Sequence, residues 1–320
     1  MLRAHRCFMW VILALGLLVS HGEASPVLAQ EAVVTEQSSD SVSFVNLDTM
    51  TESARITVTG KPAGIALSPD KRSAYVTAPD SKELVEVDTV ARSVKRRLFL
   101  DGGPLGIAAH PTRAEVYVAD WYTHNIIIID TDKFVVSGTV KVGQSPSGLA
   151  VTPDGKLLIS ADRDSDAISV VDIASRKVVV SIPVGRRPFG VTIDADGKRA
   201  YAANVKSDDV TVIDIAGRKV IGSVPTGRRP YAVALAQGKG FVTDQYGGTV
   251  TVFDEVSLAP VKRINSCDHA EGIEADAAGE NIYVACWGED VLLRIDPAAL
   301  KVTGKAAVVG GPRAFGKFLR

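Results

Sequence analysis

Residues 177–215 read KVVVSIPVGRRPFGVTIDADGKRAYAANVKSDDVTVIDI, and from Lys219 the phrase starts again as KVIGSVPTGRRPYAVAL. The apolar residues come in short Val/Ile-rich stretches of period two, with turn chemistry between them at Asp196-Gly197, Ser207-Asp208 and Ala216-Gly217. Branched and aromatic residues at that period favour strands, and the sustained 3.6-residue pattern of a helix is missing. Each phrase therefore predicts four short strands.

The phrase repeats through the chain in a fixed phase. Pro62, Pro104, Pro146, Pro188 and Pro230 lie 42 residues apart, Ala270 follows after 40, and Pro312 after another 42. A second ladder, 16 residues upstream of each, runs Asn46, Asp88, Asp130, Asp172, Asp214, Asp254 and Asp296 with the same increments. The two-residue deletion thus lies between Pro230 and Asp254, where the short turn AQGKG stands. A repeat of about 40 residues with four strands is the signature of a β-propeller blade.

The tyrosine-headed phrases YVTA at Tyr75, YVAD at Tyr117, YAAN at Tyr201 and YVAC at Tyr283, with FVTD at Phe241 and the following VVDIAS and VIDIAG, resemble the YVTN-type β-propeller repeat. That family embraces periplasmic YncE-like proteins, some binding single-stranded DNA, surface-layer proteins, haem-d1-binding domains and lactonase-like relatives. The resemblance implies the fold and leaves the function open. The ends fit a closed ring: PRAFGKFLR from Pro312 supplies an inner strand, and residues 32–36, 41–47 and 53–58 supply the other three. The expected fold is an all-β, seven-bladed propeller of four-stranded antiparallel blades, closed by pairing N-terminal strands with the C-terminal strand, which leaves no open edge.

Length alone, at 320 residues, suggests two domains; the repeat replaces this with one domain over 30–320. The first 29 residues read as a signal peptide: Arg3 and Arg6, an apolar run from Cys7 to Val19, then small residues up to Ala29. Cleavage after Ala24 is the runner-up, and an uncleaved anchor the remaining alternative. No second run of membrane length follows, so a soluble periplasmic or secreted monomer is expected. A net charge of -1 excludes a bulk electrostatic case for nucleic acid and leaves only a local patch.

Strands alternate in direction, so the loop before each inner strand and the loop between second and third strands share one face, here the upper. The first set brings Arg186, Arg187, Arg228, Arg229 and, just past its proline, Arg313; Phe189 and Tyr231 flank the arginines. The second brings Trp121, His124 and Trp287. Guanidinium forks grip carboxylate or phosphate and rings stack, so these residues predict a site for an anionic ligand, a nucleic acid or a protein. The competing reading has the arginines solvated or paired with Asp120, Asp162 and Asp164.

Blade six departs from the pattern, with Ser266-Cys267-Asp268-His269 before its inner strand and Cys286-Trp287 after its tyrosine. Antiparallel pairing brings Cys267 and Cys286 to the same end of adjacent strands, where a disulfide is expected. The alternative is a metal held by Cys267, His269 and Cys286, or haem with His269 or His124 as axial ligand. A lactonase-like hydrolase would need Asp120, Asp162, Asp244 and Glu271 to converge on a metal in the channel. No phosphate loop, nucleophile elbow, HExxH or CxxCH occurs. No catalytic residue is assigned.

Overall fold

A computed structural model describes residues 30–320; the expected signal segment, 1–29, lies outside the described residues. Seven sheets form the blades of a propeller. Blade two is typical, with strands Pro104–Ala109, Glu115–Asp120, Asn125–Asp130 and Val135–Lys141 running from the axis outward. Its second and third strands are buried almost throughout, because both faces of every blade pack against a neighbour. This burial on two sides explains runs such as Ile126 to Ile129 that do not alternate. Only at the perimeter does one side meet water, and there burial alternates, as in Ser93–Phe99.

The Asp ladder is a set of turns. Asp88, Asp130, Asp172, Asp214, Asp254 and Asp296, with Asn46 in blade seven, end the third strands, and each accepts the N–H three residues on, at 2.7–2.9 Å. This Asx turn fixes the hairpin to the fourth strand. The deletion in blade five gives a two-residue hairpin in which Gln237 and Gly238 both have positive φ, 51° and 69°. Every outer strand also carries a bulge at the same place, opposite the middle of its third strand. A repeated bulge twists the exposed edge away from pairing with another chain.

The proline ladder marks where blades meet at the axis. Gly106, Gly148 and Gly190, two residues past their prolines, lie against the carbonyls of Ser147, Phe189 and Tyr231 on the next inner strand, where any Cβ would collide. Glycine is required there for close approach, without unusual φ.

The ring closes as expected, with an irregular inner strand. Residues 312–320 run antiparallel to Glu31–Glu36 through bridges Glu36↔Pro312 and Ala32↔Leu319. Between the bridges, Phe315–Gly316 swings across to pair in parallel with Gly64–Leu67 of blade one. The C-terminal segment therefore fastens blade seven and blade one together.

Candidate functional site

The upper face is assembled from two repeated contacts. The last residue of each second strand is buried Asp120, Asp162, Asn204 or Asp244 in blades two to five and Glu36 in blade seven. Asp162 accepts the Gly143 N–H at 3.0 Å and the hydroxyls of Ser160 and Ser169 at 2.7 and 2.5 Å. Asp244 does the same for Gly227, Thr249 and Thr251, and Glu36 takes the Val309 N–H at 3.1 Å. Each carboxylate ties the loop before the inner strand to the neighbouring hairpin. Burial pushes the pKa values of Asp162 and Asp244 up, above the usual carboxylate range. At Asp120 burial is outweighed by the Thr123 hydroxyl and the N–H groups of Gly103, Thr123 and Tyr122, and its pKa falls.

The second contact joins consecutive blades. The residue just before the inner strand takes a left-handed conformation at Lys61, Ser145, Arg187, Arg229 and His269, with φ between 51° and 58°. For four of these the N–H is accepted by a side chain of the preceding blade: Asp40, His124, Asp166 and Asp208, at 2.7–3.0 Å. His124 Nδ1 is thus held by the Ser145 N–H, in the place where aspartates stand in other blades.

In blade six, Cys267 occupies the position of Gly143, Gly185 and Gly227, and Cys286 that of Asp162, Asn204 and Asp244; the pairing Ala270↔Cys286 matches Pro188↔Asn204. The two sulfurs are bonded, with Cα atoms 6.0 Å apart. The disulfide is a covalent version of the staple its siblings make through a hydrogen bond. With the sulfurs bonded to each other, the alternative of a metal held by Cys267, His269 and Cys286 would require the disulfide to be reduced. His269 Nδ1 faces Asp268 at 2.9 Å, and its ring meets Tyr246 and Trp287 at centroid distances of 4.7 and 5.7 Å.

Phe189 and Tyr231 lie beneath the rim. They project inward from the first turn of their inner strands and pack with Phe315, at centroid distances of 4.6, 5.0 and 5.3 Å, with Trp121 half-buried beside Phe189. The three rings are at most 8% exposed and fill the upper end of the channel. Arg313 lies above them, its Nε 2.9 Å from Glu271 Oε2 and 3.1 Å from the Tyr231 hydroxyl, its Nη1 2.9 Å from Gln37. Burial opposes the Arg313 charge, but Tyr231 and Glu271 outweigh it and hold the guanidinium more basic than usual. Gln245 donates to the other Glu271 oxygen at 2.7 Å. The carboxylates named for a hydrolase are therefore all held within the fold: Asp120, Asp162 and Asp244 as staples, Glu271 as the partner of Arg313.

What remains open to solvent is the rim of blades three to five. Arg186, Arg187 and Arg228 are exposed, and Arg229 is half-buried over the face of Tyr246, 4.2 Å from its centroid. Among the described residues Arg186, Arg228 and Arg229 have no ion pair, and Arg187 approaches Asp164 only at 3.9 Å. Tyr246 and Trp287 stay 43% and 37% exposed on the same side. Gln37 and Gln245 were not expected in a site, and Glu271 was expected only as a hydrolase carboxylate, not as the partner of Arg313. Their signal is positional, because Glu271 and Arg313 occupy the place of Phe189 and Tyr231, the ring of side chains facing the axis.

A YNCE-like beta-propeller family model matches residues 100–196, from the end of blade one into blade four. No curated protein matches the chain. Among solved structures, hydrazine synthase of Kuenenia stuttgartiensis is similar with a TM-score of 0.73 and 21% identity, over 81% of this chain and 90% of that one. A protein of Desulfotomaculum acetoxidans described as functionally unknown gives 0.77 and 18%, over 91% and 98%. The dihydro-haem d1 dehydrogenase NirN, solved in complex with DHE, gives 0.63 and 17%, over 91% and 74%. At these identities the likeness is one of fold.

Proposed function

We propose that this β-propeller is an exported binding protein that holds an anionic partner across its upper face. The observation that carries the reading is the row Arg186, Arg187, Arg228 and Arg229, whose guanidinium groups have, among the described residues, no ion pair beyond the 3.9 Å approach of Arg187 to Asp164, while Arg313 on the same face is paired with Glu271. Bidentate guanidinium contacts to carboxylate or phosphate are among the stronger polar contacts available at a surface. Exposed Tyr246 and Trp287 add flat apolar area beside them. With the upper channel filled by Phe189, Tyr231 and Phe315, the partner lies over the mouth and does not enter it. The Cys267–Cys286 disulfide fits export, since such bonds persist in oxidising compartments. No helix among the described residues is long and apolar enough to cross a membrane.

The test is fluorescence anisotropy with labelled polyphosphate, single-stranded DNA and an acidic glycan, comparing wild type with Arg186→Gln, Arg187→Gln, Arg228→Gln and Arg229→Gln combined. Glutamine keeps the backbone N–H contacts to Asp166 and Asp208. At least one probe is expected to bind, with affinity falling about tenfold or more in the variant and the salt dependence flattening. Failure of every anion to bind, or an unchanged affinity in the variant, refutes the reading.

A further inference from the structure

Below the aromatic plug the channel opens into a cavity of about 700 Å³, reached from the lower face. Its width follows from the sequence. The fourth residue past each proline position faces it, and these residues are Ala66, Ala108, Ala150 and Ala234, with Thr192, Gly316 and Glu274 completing the ring. Leu149, Val191, Val233 and Ile273 add apolar wall. Thr192 donates its hydroxyl to the Val233 carbonyl and is satisfied within the wall.

Glu274 is the exception in this ring, a carboxylate only 8% exposed among alanines. Its Oε2 accepts the N–H groups of Phe318 and Leu319 at 2.6 and 2.9 Å, which lock the side chain in place. Its Oε1 has only Lys317 Nζ, at 3.5 Å, and that lysine side chain is 74% exposed. The other acid of the lower wall, Asp276, is taken up by the Glu280 N–H and the Asn281 amide. Lys71 stands exposed at the mouth. The charge fixed inside is thus negative and incompletely paired.

We propose that this cavity is a binding site for a small apolar ammonium compound, its hydrocarbon body against the alanine ring and its charged nitrogen on Glu274 Oε1 in place of Lys317. A rigid carboxylate in an apolar enclosure discriminates strongly for a cation, because a buried charge must find its counter-charge. The site is separate from the upper rim and independent of what binds there.

Isothermal titration of the intact protein with n-hexylammonium, n-hexanol and n-hexanoate tests it. Saturable one-site binding of hexylammonium is expected, at least tenfold tighter than hexanol, with hexanoate weakest. Glu274→Gln should weaken hexylammonium about tenfold or more, and Lys317→Ala should tighten it. Ala150→Leu, which narrows the cavity without touching Glu274, should abolish it. No saturable hexylammonium binding, equal binding of hexanoate, or unchanged binding in Ala150→Leu overturns the proposal. The last two readouts stand even where Glu274→Gln fails to fold.

Discussion

Asp120 and Asp162 hold the same place in consecutive blades and are almost equally buried, yet their acidities move in opposite directions. Desolvation weighs more on Asp162, and the N–H donors that oppose it are fewer there. Asp120 is offered three backbone N–H groups and the Thr123 hydroxyl, Asp162 one N–H and two hydroxyls. Asp162 has its folded pKa above the ordinary 3.8, so its contribution is complete below that value and is lost as pH rises through the folded pKa. Asp120 has its folded pKa below 3.8, so its contribution is present above that value and is lost as pH falls. The melting temperature of wild type relative to Asp162→Asn should therefore fall as pH rises above 3.8, and relative to Asp120→Asn it should rise as pH climbs toward 3.8. Parallel curves for the two substitutions would contradict this account. Blade four, which carries Asn204 there, shows that the amide is tolerated.

At the scale of the element, the disulfide and the Asp–Gly contact are two solutions to one problem, holding the loop before the inner strand against the adjacent hairpin. Cys286→Ala leaves Cys267 with neither. Its cost is expected at about 3 kcal/mol, the entropy of a loop of this length, read as a drop of several degrees in melting temperature. The double change Cys267→Gly with Cys286→Asp, which installs the sibling arrangement, should recover part of that loss even under reducing conditions. A double variant no more stable than Cys286→Ala would show that the two staples are not equivalent. This equivalence was half legible in the sequence: strand alternation brought the two cysteines to one end of a blade. The role of Asp162 was not, since a carboxylate in a loop looks the same whether it faces solvent or a buried N–H. Phe189 and Tyr231 were misplaced for a related reason. They adjoin exposed arginines in the chain, and the irregular pairing just past each proline turns them to the axis.

For the whole molecule, stability depends on a fastening between the two ends. Arg320 Nη1 meets Glu31 Oε2 at 2.8 Å with both side chains 6% exposed, and Arg92 of blade one takes the other oxygen at 2.7 Å. Arg320→Ala leaves a buried carboxylate with one ion-pair partner where it had two, beside the Ser53 hydroxyl, at a cost of about 3 kcal/mol. Hydrogen exchange should then quicken first at Val33 and Arg313, whose N–H groups bond across the closure. Uniform acceleration across all blades, or none, would count against a local fastening. The same ring geometry stacks equivalent positions of successive blades around one axis, so Tyr231, Glu271 and Arg313, about 40 residues apart in sequence, come to share one hydrogen-bonded group.

The sequence by itself determined the blade, its copy number and the ring, because strand formation, turns and repeat phase are local properties written in each 42-residue unit. It also determined which loops share a face, since strand direction alternates whatever the neighbours are. Only the tertiary structure decided which charged and aromatic side chains stay on that face. Burial and pairing are settled between blades, by residues of equal phase that the chain keeps far apart. That is why the arginines of blades four and five remain open to a partner, Arg313 does not, and a cavity ringed by alanines lies beneath them with Glu274 in that ring.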